Sequence, residues 1–279
     1  MISDLDFRNE DGKYPPIGEF DNDQALNQLK KERNKQVLKA ILNYGGAISS
    51  LWLNTMFSVV FSILGGNKVK EIATLSHMIH IMETLLEHFE DDGIEIIPKV
   101  KVPKDVATVN QIDLFVRFPQ KIYFAICHRK MNDSIITYRE DKETFYIRRV
   151  NNRGKNIWKP DPSDYIPECF RWLQKNERSL FGGKSNDTRK PSVRILLLMG
   201  ETKINKHHPP HLYGQVGDEK FLWIKKQGRG TLTIIEEDRL VKFIKAFVTS
   251  KTNSSNSKTK YNSSVDNTAT SNENAVVNK

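Results

Sequence analysis

Cysteine is scarce. The chain of 279 residues holds two, Cys127 and Cys169, too few for a disulfide framework or a zinc set. A secretory signal is also missing from the first residues. MISDLDFRNEDGKYPP is acidic and polar, so the cytoplasm is the expected location. Long apolar runs are absent with one exception, AISSLWLNTMFSVVFSIL from Ala47 to Leu64. No second run of that kind follows. Large apolar side chains are nearly absent from residues 250–279, which are mostly Ser, Asn, Lys and Thr. That composition excludes a packed core there and predicts a disordered tail.

What the chain has in excess is positive charge. Lys and Arg number 43 against 34 Asp and Glu, a net charge of +9. Residues 1–24 hold seven acidic and two basic side chains, so the basic excess lies in the middle of the chain. Such a middle suits a polyanion, and equally suits a solvated face with no partner. The expected organisation has four parts: a flexible acidic arm at 1–24, a helical region at 25–67, an α/β domain at 68–249 and the tail at 250–279.

Taken in order, Asp23 to Leu42 predicts a helix, with Leu26, Leu29, Val37, Leu38, Ile41 and Leu42 near helical spacing and Gly45-Gly46 ending it. The apolar run 47–64 fits a buried helix or helix pair. It also fits a membrane segment, preceded by a lysine-rich flank, or a homo-oligomer interface. Lys68 to Phe89 predicts an amphipathic helix with a stripe through Val69, Ile72, Leu75, Ile79, Met82, Leu85 or Leu86, and Phe89. His77 and His80, three apart, are placed to share a face, and His88 lies too far along the axis to complete a metal set. Asp92-Gly93 marks the helix end.

Three strands follow: one to about Val102, then QIDLFVRF, then KIYFAICHRK after Pro119-Gln120. Asp113 stands alone among apolar residues in the second. A carboxylate in a strand core needs a partner, a cation or water. Ser134 to Val150 predicts a hairpin, and Asp161 to Leu180 a helix opened by Asp-Pro-Ser-Asp. SVRILLLMG predicts a central strand. FLWIKK and GTLTIIEE predict a last hairpin around Gln227–Gly230, before a closing helix at Glu237–Val248. His207, His208 and His211 form a cluster, but two of them are adjacent and point apart. Between Lys121 and Lys159, ten Lys or Arg stand against four acidic residues, interleaved with Tyr138, Phe145, Tyr146 and Trp158. Arg129, Lys130, Arg139, Arg148, Arg149, Arg153 and Lys155 are the candidate phosphate contacts.

The order of helix, strand, strand with a lone Asp, strand ending in a polar pair, further β structure, helix and apolar strand resembles the restriction-endonuclease-like, PD-(D/E)XK, nuclease superfamily. The resemblance covers residues 68–200. It implies an α/β fold, a mixed central sheet flanked by helices, here with an N-terminal helical extension. It also implies a site in which Glu83 takes the helix-glutamate position and Asp113 the metal-binding aspartate position. The third strand should read FAIExK. Here it reads Phe124-Ala125-Ile126-Cys127-His128-Arg129, so Cys127 replaces the second carboxylate and Arg129 the lysine.

Thiol for carboxylate removes a hard ligand for Mg²⁺, and Arg is a poor proton acceptor. The implied function is therefore binding of nucleic acid, DNA ahead of RNA, by an eroded phosphodiesterase site. Two alternatives stand beside it. One is a membrane-attached or oligomeric scaffold. The other is an active endonuclease in which Glu140 or Glu143 supplies the missing carboxylate.

Overall fold

The computed structural model describes residues 5–50, 55–131, 133–151, 154–181 and 192–253, with the backbone alone at 43–50, 55–68, 178 and 192. Two long helices, α1 (Asn22–Ser50) and α2 (Thr55–Phe89), lead into the sheet. A short turn of helix at Glu90–Asp92 closes α2, and Gly93 follows with φ 68°, a left-handed geometry that a side chain would strain. Three strands form a meander: β1 (Glu95–Lys101), β2 (Gln111–Phe118) and β3 (Ile122–Arg129). Next come β4 (Ser134–Arg139), β5 (Thr144–Arg149), β6 (Lys155–Ile157) and α3 (Pro162–Phe181). The chain continues with β7 (Ser192–Leu198), β8 (Lys203–Ile204), β9 (Tyr213–Val216), β10 (Glu219–Lys226) and β11 (Gly230–Glu236). Helix α4 at 240–253 is last.

The main sheet has seven strands in the order β1-β2-β3-β7-β11-β10-β9, and the second has four in the order β6-β5-β4-β8. β7 lies parallel to both β3 and β11, and the other neighbours in the main sheet are antiparallel. The fold is thus mixed α/β, a mixed sheet flanked by helices with a helix at its N-terminal side. β7 sits at the sheet centre, which is why its ILLL run is apolar on both faces.

Strand alternation divides the core into two layers. On one side Leu114, Val116, Phe124, Ile126, Ile195 and Leu197 meet Leu75, Met82 and Leu85 of α2 and Phe243 and Ile244 of α4. On the other, Phe115, Ala125, Cys127, Leu196 and Leu198 meet Tyr165, Ile166, Phe170 and Leu173 of α3. The second sheet joins this layer through Ile136, Tyr138 and Phe145. Burying each large apolar side chain of this kind stabilises the fold by roughly 1.5–3 kcal/mol. Asp161 caps α3 by accepting from Ser163 N at 2.8 Å, and its other oxygen accepts from Phe145 N at 3.1 Å, tying helix to hairpin.

Several expectations need correction. α1 does not end at Gly45-Gly46, and α2 starts at Thr55 rather than Lys68, running through Gly65-Gly66 and across the expected boundary at 67/68. Glycine inside a helix costs only about 1 kcal/mol each, which two long helices tolerate. The buried stripe of α2 follows Leu75, Met78, Ile79, Met82, Leu85 and Phe89, while Val69 is 52% exposed and lines an open cleft. Leu38, Ile41 and Leu42 of α1 are exposed too. No helix among the described residues is long and apolar enough to cross a membrane. The side chains of the run 47–64, Arg153 and residues 254–279 lie outside the described residues.

The acidic arm is irregular in backbone yet docked. Glu95 Oε1 accepts from Gly18 N at 2.7 Å and Phe20 N at 3.0 Å. Its other oxygen pairs with Arg117 at 2.8 Å, and Arg117 in turn donates to Pro15 O at 2.9 Å. Tyr14 is buried and stacks on Phe181.

Candidate functional site

Asp113 lies near the start of β2, and antiparallel pairing brings the end of β3 beside it. Its Oδ2 accepts from His128 N at 2.9 Å and from Arg129 Nη1 at 2.9 Å, and its Oδ1 accepts from Gln111 Nε2 at 3.0 Å. His128 Nδ1 stands 3.3 Å from the same Oδ2 without hydrogen-bond alignment. Burial alone would raise the carboxyl pKa. The positive charge at His128 and Arg129 and the hydrogen bonds outweigh it, holding Asp113 well below the usual carboxylate range. The Arg129 guanidinium also lies over the Tyr165 ring at 5.3 Å. Burial opposes its charge, but Asp113 more than compensates and its pKa is raised.

The partner that a lone carboxylate in a strand core needs is therefore Arg129. The expected helix glutamate does not join them. Glu83 is exposed and pairs with Lys30 of α1 at 2.7 Å. Six positions separate it from His77, the α2 residue that meets β3, so it falls on a different side of the helix. The α2 glutamate that acts at the sheet is Glu71. It interacts electrostatically with Lys99, which the β1–β2 register sets opposite Asp113. Lys99 has φ 53°; burial lowers its pKa, with Glu71, Glu32 and Asp113 opposing.

Mg²⁺ does not fit this constellation. Both Asp113 oxygens already accept hydrogen bonds, Arg129 supplies the positive charge a cation would bring, and Cys127 is a fully buried thiol. Burial pushes the Cys127 pKa up, so the thiolate that a metal requires is disfavoured. Among the described residues no three His, Cys, Asp or Glu side chains group as metal donors. His77 and His80 do not act together: His77 meets His128, and His80 Nε2 lies 3.6 Å from Glu237. His208 is buried with its Nε2 accepting from Tyr138 N, while His211 pairs with Glu140, so that histidine cluster is also split. The Glu140 pairing holds it at the Arg139–Thr144 end of the hairpin, about 17 Å of strand from the Ser134–Arg149 end that faces Asp113's side. Glu143 belongs to the same far turn. Neither can complete the site.

What opens beside the pair is a cleft of about 840 Å³ between α2, the end of β3 and the second sheet. Lys70, Arg129, Lys130 and Arg149 line it, together with His77 and His128. Among the described residues no carboxylate lines it. Of the predicted phosphate contacts, Arg129, Lys130 and Arg149 converge here. Arg148 and Lys155 pair across β5 and β6 on the opposite face of the second sheet, because adjacent strand residues alternate. Arg139 is at the far turn, bound to Asp141 at 2.6 Å. Sequence reasoning missed Lys70, Glu71, Lys99 and Tyr165. Their roles depend on which helix face meets the sheet, and only the stripe through Leu75 and Met82 carried a signal of that. No family model, curated protein or solved structure matches the chain.

Proposed function

We propose that the chain binds nucleic acid by its phosphate backbone in the cleft beside Asp113, and that the Asp113–Arg129 pair positions the cleft rather than a metal. The observation that carries this reading is the lining: four Lys or Arg, with no carboxylate among the described residues. A single-signed concave surface focuses its field on an anion, and Arg129 and Arg149 offer forks that match phosphate oxygens. Arg129 is held in place by Asp113, so little side-chain freedom is lost when it meets a ligand. The restriction-endonuclease-like resemblance is kept as part of the proposal. The run of α2, β1, β2 with its Asp, β3 with its polar end, further strands, α3 and apolar β7 supports it.

The test is binding of a labelled oligonucleotide across a salt series. Affinity should fall steeply with salt, and Lys130→Ala and Arg149→Ala should each weaken binding and reduce the log–log slope by about 1. Arg148→Ala and Lys155→Ala, on the other face, should change little. Equal losses at Arg148 and Arg149, or no binding at low salt, would remove the cleft from consideration.

A second reading, self-association through the N-terminal helices, is favoured by the exposure of Leu38, Ile41, Leu42 and Val69. Light scattering at rising concentration tests it. A monomer throughout sinks it.

A further inference from the structure

The cleft holds two imidazoles that a binding role does not use. The rings of His77 and His128 are 6.2 Å apart at an interplanar angle of 85°, and both line the cleft. Their surroundings differ. His128 is 4% exposed and its Nδ1 stands 3.3 Å from Asp113 Oδ2, so the carboxylate fixes how the ring sits at the wall of the cleft. His77 is half-buried, and burial first, then the cationic Lys130 and the neighbouring His128, lower its pKa; Glu237 and His80 are the other titratable groups around it. Two imidazoles in one cleft, one held against a carboxylate and one beside a lysine, can divide the work of acid and base between them.

We propose that the cleft cleaves RNA without a metal, by attack of a ribose 2′-hydroxyl on the adjacent phosphorus. This rests on the binding reading above. In the step, His77 takes the proton of the 2′-hydroxyl as O2′ forms a bond to phosphorus. The bond from phosphorus to O5′ breaks, and His128 gives its proton to O5′. The products are a 2′,3′-cyclic phosphate and a free 5′-hydroxyl. His77 ends protonated and His128 neutral, and exchange with water resets both, so no oxidant or further reactant is needed. Arg129 and Lys130 lie beside the pair, where they offset charge gathering on the phosphate oxygens. An acid and a base must each come within about 3 Å of one of the two oxygens that flank the phosphorus. Rings centred 6.2 Å apart allow a single phosphate to engage both edges. DNA lacks the nucleophile, so it should occupy the same cleft uncut.

The full chain is incubated with an RNA oligonucleotide, its all-DNA counterpart and an RNA carrying one 2′-deoxy position, all in excess EDTA. RNA should be cut to products ending in cyclic or 3′-phosphate with 5′-hydroxyl partners, and neither the DNA nor the deoxy-substituted linkage should be cut. His77→Ala and His128→Gln should each lose at least about a hundredfold in cleavage rate while oligonucleotide affinity stays within a few-fold. His77 is the decisive position, because it is half-exposed and its replacement disturbs no core. Salt-dependent binding without RNA cleavage overturns the activity and leaves the binding reading intact. Absence of binding overturns both. Cleavage that needs a divalent cation, leaves a 5′-phosphate or survives His77→Ala also overturns the activity.

Discussion

Arg129 Nη1 donates to Asp113 Oδ2 at 2.9 Å, across two antiparallel strands and in the place where the resemblance to metal-dependent nucleases leads one to expect a cation. The contact turns a prospective ligand into half of an ion pair. Asp113→Ala would leave a mostly buried guanidinium without its counter-charge, so chemical denaturation should show a loss of about 3–5 kcal/mol. Asp113→Asn keeps one acceptor and should lose less. Because folding depresses the Asp113 pKa, its contribution is complete above about pH 4, the unfolded value, and fades as pH falls toward the folded value. The acid limb of wild-type stability should therefore be steeper than that of Asp113→Asn. Parallel limbs would mean the pair contributes nothing to folding.

Metal should not stabilise the fold. A ligand that binds only the native state at a hundred times its Kd adds about 2.7 kcal/mol. With both Asp113 oxygens hydrogen-bonded, millimolar Mg²⁺ should leave the melting temperature unmoved at constant ionic strength. A rise with Mg²⁺ that disappears in Asp113→Ala would restore the metal centre.

His208 supplies a separate pH dependence. Burial lowers its pKa, and its Nε2 accepts from Tyr138 N at 2.9 Å, which requires the neutral ring. A histidine with a depressed folded pKa stabilises the fold above its unfolded value, about 6.5, and loses that contribution as pH falls below it. Urea midpoints should drop between pH 7.5 and 5.5, and His208→Gln should flatten that drop. His208→Gln should also lower stability at pH 7.5 by about 1–3 kcal/mol. An unchanged slope in the variant would assign the pH effect elsewhere.

Both thiols should be silent in the native protein. Burial pushes Cys169 up to about 12, and Cys127 is raised as well, in a site with no accessible surface. A disulfide reagent at pH 8 should label neither until denaturant is added, after which both should react. Fast native labelling at Cys127 would show that the core under α3 opens.

The arm depends on one buried pair. Arg117 is 1% exposed and holds Glu95 at 2.8 Å while donating to Pro15 O. Arg117→Ala should cost about 3–5 kcal/mol, since it leaves Glu95 buried without its cation. It should also make residues 5–20 sensitive to protease before the domain unfolds. Equal protease resistance in wild type and variant would mean other contacts dock the arm.

The sequence determined most of the elements by itself. Short, mostly apolar runs bounded by turn residues marked β2, β3, β7, β10 and β11, and the lone Asp113 announced a partner, a cation or water, since a carboxylate among apolar neighbours needs one of them to stay charged. The Asp-Pro-Ser-Asp start of α3 was equally local, because a cap is built from residues adjacent in sequence. Tertiary structure decided the rest. Which glutamate of α2 lies near enough to Lys99 of β1 to act on its charge is set by how one helix face seats on the strands, and that selected Glu71, while Glu83 pairs with Lys30. Which basic residues share a cleft is set by strand alternation and by the approach of two sheets, and that kept Arg149 and removed Arg148. His77 and His128 lie 51 positions apart in sequence. Only the packing of α2 against the end of β3 makes them neighbours.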